Sequence, residues 1–206
     1  MYIVVDIEER KKYWEEQHDK KDIYTLSGCS FKETVDFLKI REYINPSIRA
    51  LEVGVGLGYV TEVFSKICSI SALDISGIAL SRVISYCENV YMINNLSRLQ
   101  KDYFDLIFCH NLIQHIPTEL LKVELSYLIQ SLVIDGIFAL EFISAGCVPD
   151  TGNMRSSSGV GLYCRTPRFL EKLINGLGGV CELVVDNNCD IDGITGCHVF
   201  HVRKSK

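Results

Sequence analysis

Residues 51–60 read Leu-Glu-Val-Gly-Val-Gly-Leu-Gly-Tyr-Val. An apolar run of strand length leads into this stretch, Ile48 to Val53, and helical periodicity follows it near 58–68. Gly54, Gly56 and Gly58 allow a tight turn and let a ligand approach the backbone with no Cβ in the way. Strand, glycine turn and helix in that order form the first unit of a parallel sheet. The spacing is not the dinucleotide-binding Gly-x-Gly-x-x-Gly, because position 59 is Tyr59. Nor is it a phosphate loop, since no Gly-Lys-Ser/Thr follows.

The same alternation continues along the chain. Ser69–Ile75, Val90–Ile93, Phe104–Cys109 and Ile137–Ile143 read as further strands. They are nearly continuous apolar runs, as expected when helices cover both faces of a sheet. Ser76 caps a helix through about Cys87. Pro117 opens another, with Leu121, Leu125, Leu128 and Leu132 on one face. Thr166-Pro167 starts a third, lined by Leu170, Leu173, Ile174 and Leu177. Val180–Val185 and Cys197–Val202 have no helix between them and read as a closing antiparallel hairpin joined by a polar turn. These elements predict an α/β fold with a mostly parallel seven-stranded sheet, doubly wound, in three α/β/α layers.

Two segments fall outside this pattern. Residues 1–45 are polar and read as a helical cap segment. It has Tyr13 and Trp14 in a charged helix from Glu8 to Gln17, then a second helix capped by Ser30 with Glu33 at the capping-box position. Phe31, Val35 and Leu38 share one face of that second helix, and Asn45-Pro46 ends it. The domain proper spans 46–206. Within it, residues 144–165 are rich in Gly and Ser and leave from the predicted ligand edge of the sheet, so they read as a substrate lid.

Composition narrows the function classes. At 206 residues the chain suits one domain, and 48% hydrophobic with 23% charged residues is ordinary for a globular one. The formal charge of −5 argues against long nucleic acids as partners. The nine cysteines are odd in number and include no Cys-x-x-Cys. This favours neither a disulfide framework nor a zinc ribbon, no metal is expected, and a reduced, cytoplasmic setting fits. The start of the chain does not read as a signal peptide, and no stretch approaches a membrane span. The oligomeric state is not legible.

Asp74 ends the second strand, 22 residues after Glu52 (74 − 52). A carboxylate there can accept both hydroxyl hydrogens of a ribose, or Asp74 or Ser76 can cap the following helix. With this pairing the chain resembles the class I S-adenosylmethionine-dependent methyltransferases. Their first motif, an acidic residue before Gly-x-Gly-x-Gly, is matched by Glu52, Gly54, Gly56 and Gly58. Asp74 matches their second motif, and Asn95, beside Leu96, stands where their third usually has Asp. Residues 103–117 match the fourth, while Ile134-Asp135-Gly136 replaces the usual Lys-Pro-Gly-Gly.

The resemblance implies a Rossmann-like fold, S-adenosylmethionine as cofactor and a set of roles. Gly54 and Gly56 would pass close to the methionine moiety, Asp74 would hold the ribose, and Ile75 would lie against the adenine. Cys109 or His110 would line the cofactor, and Trp14 could cover it or simply pack. His110 and His115 flank the expected site as candidate bases, since imidazole titrates in the useful range. The alternative for His115 is a hydrogen bond to a helix end or a neighbouring loop. His198 and His201 on the last strand are given no role. The absence of Asn-Pro-Pro-Tyr after the fourth strand argues against amino methylation of nucleobases or glutamine. A small metabolite or glycan intermediate, methylated on oxygen or nitrogen, is the expected acceptor. The alternatives are a protein N-terminal amine methyltransferase, weakly resembled through Tyr13-Trp14, His115 and Cys164-Arg165, and a non-catalytic module that kept the fold. A nicotinamide oxidoreductase is disfavoured by Tyr59.

Overall fold

The computed structural model describes residues 7–19, 30–144, 153–155, 161–191 and 194–205. Five strands form the parallel part of the main sheet. They are β1 (Arg49–Val53), β2 (Ser69–Asp74), β3 (Val90–Met92), β4 (Phe104–Cys109) and β5 (Leu132–Ser144). A short pair follows, β6 (Asn153–Arg155) and β7 (Gly161–Tyr163), and then the hairpin β8 (Gly179–Ile191) and β9 (Ile194–Lys204). The sheet order is β3-β2-β1-β4-β5-β9-β8, with β9 antiparallel to both of its neighbours. Strand order reverses between β1 and β4, which is where open α/β sheets bind ligands at the carboxyl edge. The seven-stranded, mostly parallel architecture matches the reading of the sequence.

Helices cover both faces. They are α1 (Ile7–Asp19), α2 (Phe31–Phe37), α3 (Tyr59–Ser65), α4 (Gly77–Val83), α5 (Thr118–Ser131) and α6 (Pro167–Asn175). Successive strand residues point to opposite faces. On β4, Leu106 and Phe108 join Phe64 and Val35 in one core layer, while Ile107 and Cys109 join Leu125 and Leu170 in the other. This two-sided burial explains why the strands carry so few polar residues.

Several boundaries differ from the sequence reading. α2 keeps its capping box at Ser30 and Glu33, but it stops at Phe37 rather than Asn45. Lys39 adopts a left-handed φ of 56°, and a one-turn 310 segment follows over Arg41–Tyr43. α4 ends at Val83, short of Cys87, because the backbone of 88–89 is drawn onto β2: Glu88 N–H donates to Ile70 O and Ala72 N–H to Asn89 O. β5 starts at Leu132, before Asp135-Gly136, with a register shift against β4 between Phe104 and Leu106. The closing hairpin runs on into the segment expected to be a polar turn. Within 144–165 the described residues include the β6–β7 pair, where only loop was expected. Such short strands carry too few residues for an alternating pattern to stand out.

Candidate cofactor and acceptor site

The glycine turn links β1 to α3 at the carboxyl edge. Gly54, Gly56 and Gly58 all have positive φ, at 81°, 51° and 81°. L residues resist that conformation, so the sequence has little choice there. Gly58 is also tight: a Cβ would lie 2.4 Å from Val83 Cγ1. Gly56 is the opposite case, since a Cβ there would meet no atom within 4 Å, and the turn is open at this point.

Asp74 ends β2 directly beside this turn. Its Oδ2 accepts from Gly56 N–H at 3.3 Å and its Oδ1 from Ser76 N–H at 2.8 Å. Ser76 itself caps α4, accepting from Ala79 N–H, so of the two candidates the cap is Ser76. Burial raises the Asp74 carboxyl to about 6, against the opposing pull of the loop amides. Glu52 is buried one strand away on β1, where its Oε2 accepts from Thr61 Oγ1 at 2.5 Å. Burial drives its carboxyl up to about 8, with Asp74 adding to the rise. Ile75, just after Asp74, is 8% exposed and belongs to the core layer that also holds Leu96 and Cys109.

Asn95 and Leu96 lie in a 310 segment after β3, and Met92 is the register partner of Asp74, so they reach the same edge. Asn95 is half-buried at a break in helical geometry. Cys109 ends β4, fully buried, and burial pushes its thiol well above the ordinary range. His110 is turned toward α2 and β5: its Nδ1 lies 3.2 Å from Thr34 Oγ1 and its Nε2 3.5 Å from Glu141 Oε2. Phe37 lies beside that ring, tilted by 31° at a centroid distance of 5.5 Å. Glu141 also accepts from Asn111 N–H and from Cys197 Sγ, so it ties the β4 exit to β9.

Helix α1 bridges α4 and α5. At one end Arg82 Nη2 donates to His18 O at 2.7 Å, and at the other the buried Arg10 faces the buried Glu124 of α5 at 3.7 Å. Between them Trp14 stacks on His18 and meets the ring of His115 edge-on at 5.0 Å. His115 closes a 310 turn, Ile113–His115, between β4 and α5. Burial, reinforced by Arg10, lowers its imidazole to about 4, so it is neutral near pH 7. Its Nδ1 is buried with no hydrogen-bond partner among the described residues. The alternative of a bond to a helix end is therefore not made through that nitrogen.

Glu52, the three glycines, Asp74, Ile75, Asn95, Leu96 and Cys109 thus gather along the ends of β1 to β4. Trp14 and His115 meet on the α1 side of that edge, and His110 is directed away from them into a polar network. The sequence reading missed Arg10, Glu124 and Thr34, because partners from distant segments define them, and named Arg165 only through a weak resemblance. Leu112 was missed too, although its side chain packs on Gly54, where a Cβ would come within 2.9 Å. His198 and His201, on opposite faces of β9, bind Ser144 at 2.7 Å and Leu38 O at 2.8 Å, and neither comes to this edge.

Residues 51–139 match a family described as a methyltransferase domain. No curated protein matches the chain. Among solved structures, a Burkholderia thailandensis 1,6-didemethyltoxoflavin-N1-methyltransferase with bound S-adenosylhomocysteine is 17% identical at a TM-score of 0.69, over 96% of this chain and 87% of that one. A magnesium protoporphyrin IX methyltransferase from Synechocystis, also with S-adenosylhomocysteine, is 14% identical at 0.67, over 97% and 100%. A Haemonchus contortus phosphoethanolamine N-methyltransferase 2 is 14% identical at 0.73, and the chain, matched over its whole length, covers 62% of it. With the glycine turn, Glu52 and Asp74 in place within the matched stretch, the chain is similar over residues 51–139 to a methyltransferase domain and shares the fold of S-adenosylmethionine-dependent methyltransferases.

Proposed function

We propose that the protein transfers the methyl group of S-adenosylmethionine to an oxygen or nitrogen of a small metabolite or glycan intermediate in a cytoplasmic setting. The observation that carries this reading is the junction of the glycine turn with Asp74. The residues present fit the cofactor. Gly56 faces open space, so backbone can contact the methionine moiety. Asp74 accepts from the loop amides, Gly56 and Ser76 among them, and its carboxylate stands at the turn where it would meet ribose hydroxyls. Ile75 and Leu96 supply apolar surface for an adenine, and Asn95 an amide beside it. Gly54 and Gly58 shape the turn, and Glu52 and Cys109 back it from the core. Trp14 covers the methyl-donor side from α1, and His110 lines the β4 exit through its bonds to Thr34 and Glu141.

When bound, S-adenosylmethionine supplies an electrophilic methyl on a sulfonium that leaves as a neutral thioether. The chain's task is then to align the acceptor and exclude water. His115 is the group assigned to the acceptor proton, because its buried neutral imidazole has a free nitrogen. Its lowered basicity suits holding a hydroxyl or amine proton more than extracting it outright. Both nitrogens of His110 are already engaged, so proton handling rests on His115 alone. The lid expected over 144–165 is assigned to the acceptor, and its residues 145–152 and 156–160 lie outside the described residues.

The test is turnover. Incubation with methyl-labelled cofactor and a panel of hydroxyl and amine metabolites should yield labelled product for some acceptor, and Asp74→Ala should abolish it. Binding of the cofactor with no turnover across such a panel would support the non-catalytic module instead. Transfer only to a peptide N-terminus would support the protein methyltransferase.

A further inference from the structure

Among the described residues Arg165 is the largest fully buried side chain, 1% exposed, in the segment between β7 and α6. Its guanidinium donates to Ile113 O at 2.8 Å, to Ile116 O, to Tyr163 O at 3.2 Å and to Thr118 Oγ1 at 3.3 Å. Its own amide donates to Ile143 O at the end of β5. Ile113 is the first residue of the 310 turn that carries His115, and Ile116 is its C-cap. One planar fork therefore grips the carbonyls on both sides of His115 and satisfies groups that a helix end leaves open.

Burying this cation is costly, and no carboxylate among the described residues lies within ion-pair distance of it. Burial lowers its pKa to about 10, so it remains charged. Glu119 and Glu124 offset the charge only at longer range. A neutral apolar residue would fill the volume at lower cost. What only the guanidinium provides is geometry, because a lysine ammonium cannot span two carbonyls in one plane.

We infer that Arg165 is a positioning residue that sets the height and orientation of His115 at the acceptor side of the site and couples it to the segment between β7 and α6. This rests on the role proposed for His115 in methyl transfer. The charged group acting on His115 is Arg10 from α1, itself paired with Glu124 of α5, while Arg165 reaches the backbone of the turn. Loosening the turn lets water reach the imidazole, which relieves the desolvation that keeps it neutral.

The test follows the His115 ring by NMR across pH in the wild type, in Arg165→Lys and in Arg165→Met, with His115→Gln to assign the resonance. Trp14, the sole tryptophan, provides a second signal through its emission. Both Arg165 variants should raise the His115 pKa by about one unit or more. Both should red-shift Trp14, with S-adenosylhomocysteine affinity within about twofold of wild type. Thr118→Val, a milder change that removes one partner, should move His115 the same way by less and serves if the Arg165 variants do not fold. An unchanged His115 titration in folded variants that still bind S-adenosylhomocysteine overturns the inference and leaves the cofactor reading intact. Failure of the wild type to bind S-adenosylhomocysteine overturns the cofactor reading instead, whatever His115 does.

Discussion

At Gly58 a methyl group would lie 2.4 Å from Val83 Cγ1 on a backbone with φ of 81°. Gly58→Ala adds a clash to a left-handed strain and should cost about 2–4 kcal/mol in chemical denaturation. Gly56→Ala faces open space and should cost only about 1 kcal/mol of strain, yet weaken cofactor binding. Equal losses for both would mean that the turn is packed throughout rather than open at Gly56. The buried acids set a pH dependence. Glu52 ionises near 4.5 when unfolded and near 8 in the fold. The folded state keeps a proton that the unfolded chain has released, so stability is full below about 4.5 and is lost as pH rises through about 8. Asp74 acts the same way from 3.8 to about 6. His115 has the opposite sign: its contribution is full above 6.5 and is lost as pH falls toward about 4. Between about 6.5 and about 8 the denaturation midpoint of the ligand-free chain should therefore fall. Glu52→Gln should flatten that fall, and a wild-type midpoint that climbs over this window would contradict the assignment.

Helix α1 reads in the sequence as a charged segment, and its docking is where sequence reasoning stops. Glu8 to Gln17 carries the charges of a solvated face, and nothing local marks Arg10 as buried. Its partner Glu124 lies on α5, more than a hundred residues away in sequence. The Arg10 guanidinium and Glu124 are 3.7 Å apart, and burial raises the carboxyl to about 7 while lowering the guanidinium from its usual value. Removing one member leaves the other buried and unpaired, so Arg10→Met or Glu124→Leu alone should cost about 2–4 kcal/mol. The double substitution should recover most of that loss. Additive losses in a double-mutant cycle would show that the pair does not hold α1 in place. The β elements were far more legible, because residues buried on both sides must be apolar whatever their partners. Their ends were not, since the start of β5 at Leu132 and the end of α4 at Val83 are set by pairing with β4 and β2.

Over the whole molecule, the recognisable part is the edge where strand order reverses. Three glycines are held there by positive φ and Asp74 by its bonds to the loop amides, so they are visible in one sequence. The acceptor side is less visible. As proposed, it draws on α1, the turn after β4 and the segment between β7 and α6, and Arg10, Trp14, His115 and Arg165 come from distant parts of the chain. The turn at Gly56 and the carboxylate of Asp74 carry the cofactor reading between them. Calorimetric titration with S-adenosylhomocysteine measures that pairing most directly. The wild type should bind saturably, and Asp74→Ala should bind at least about tenfold more weakly with its fold intact. No binding by the wild type, or equal binding by Asp74→Ala, would contradict it.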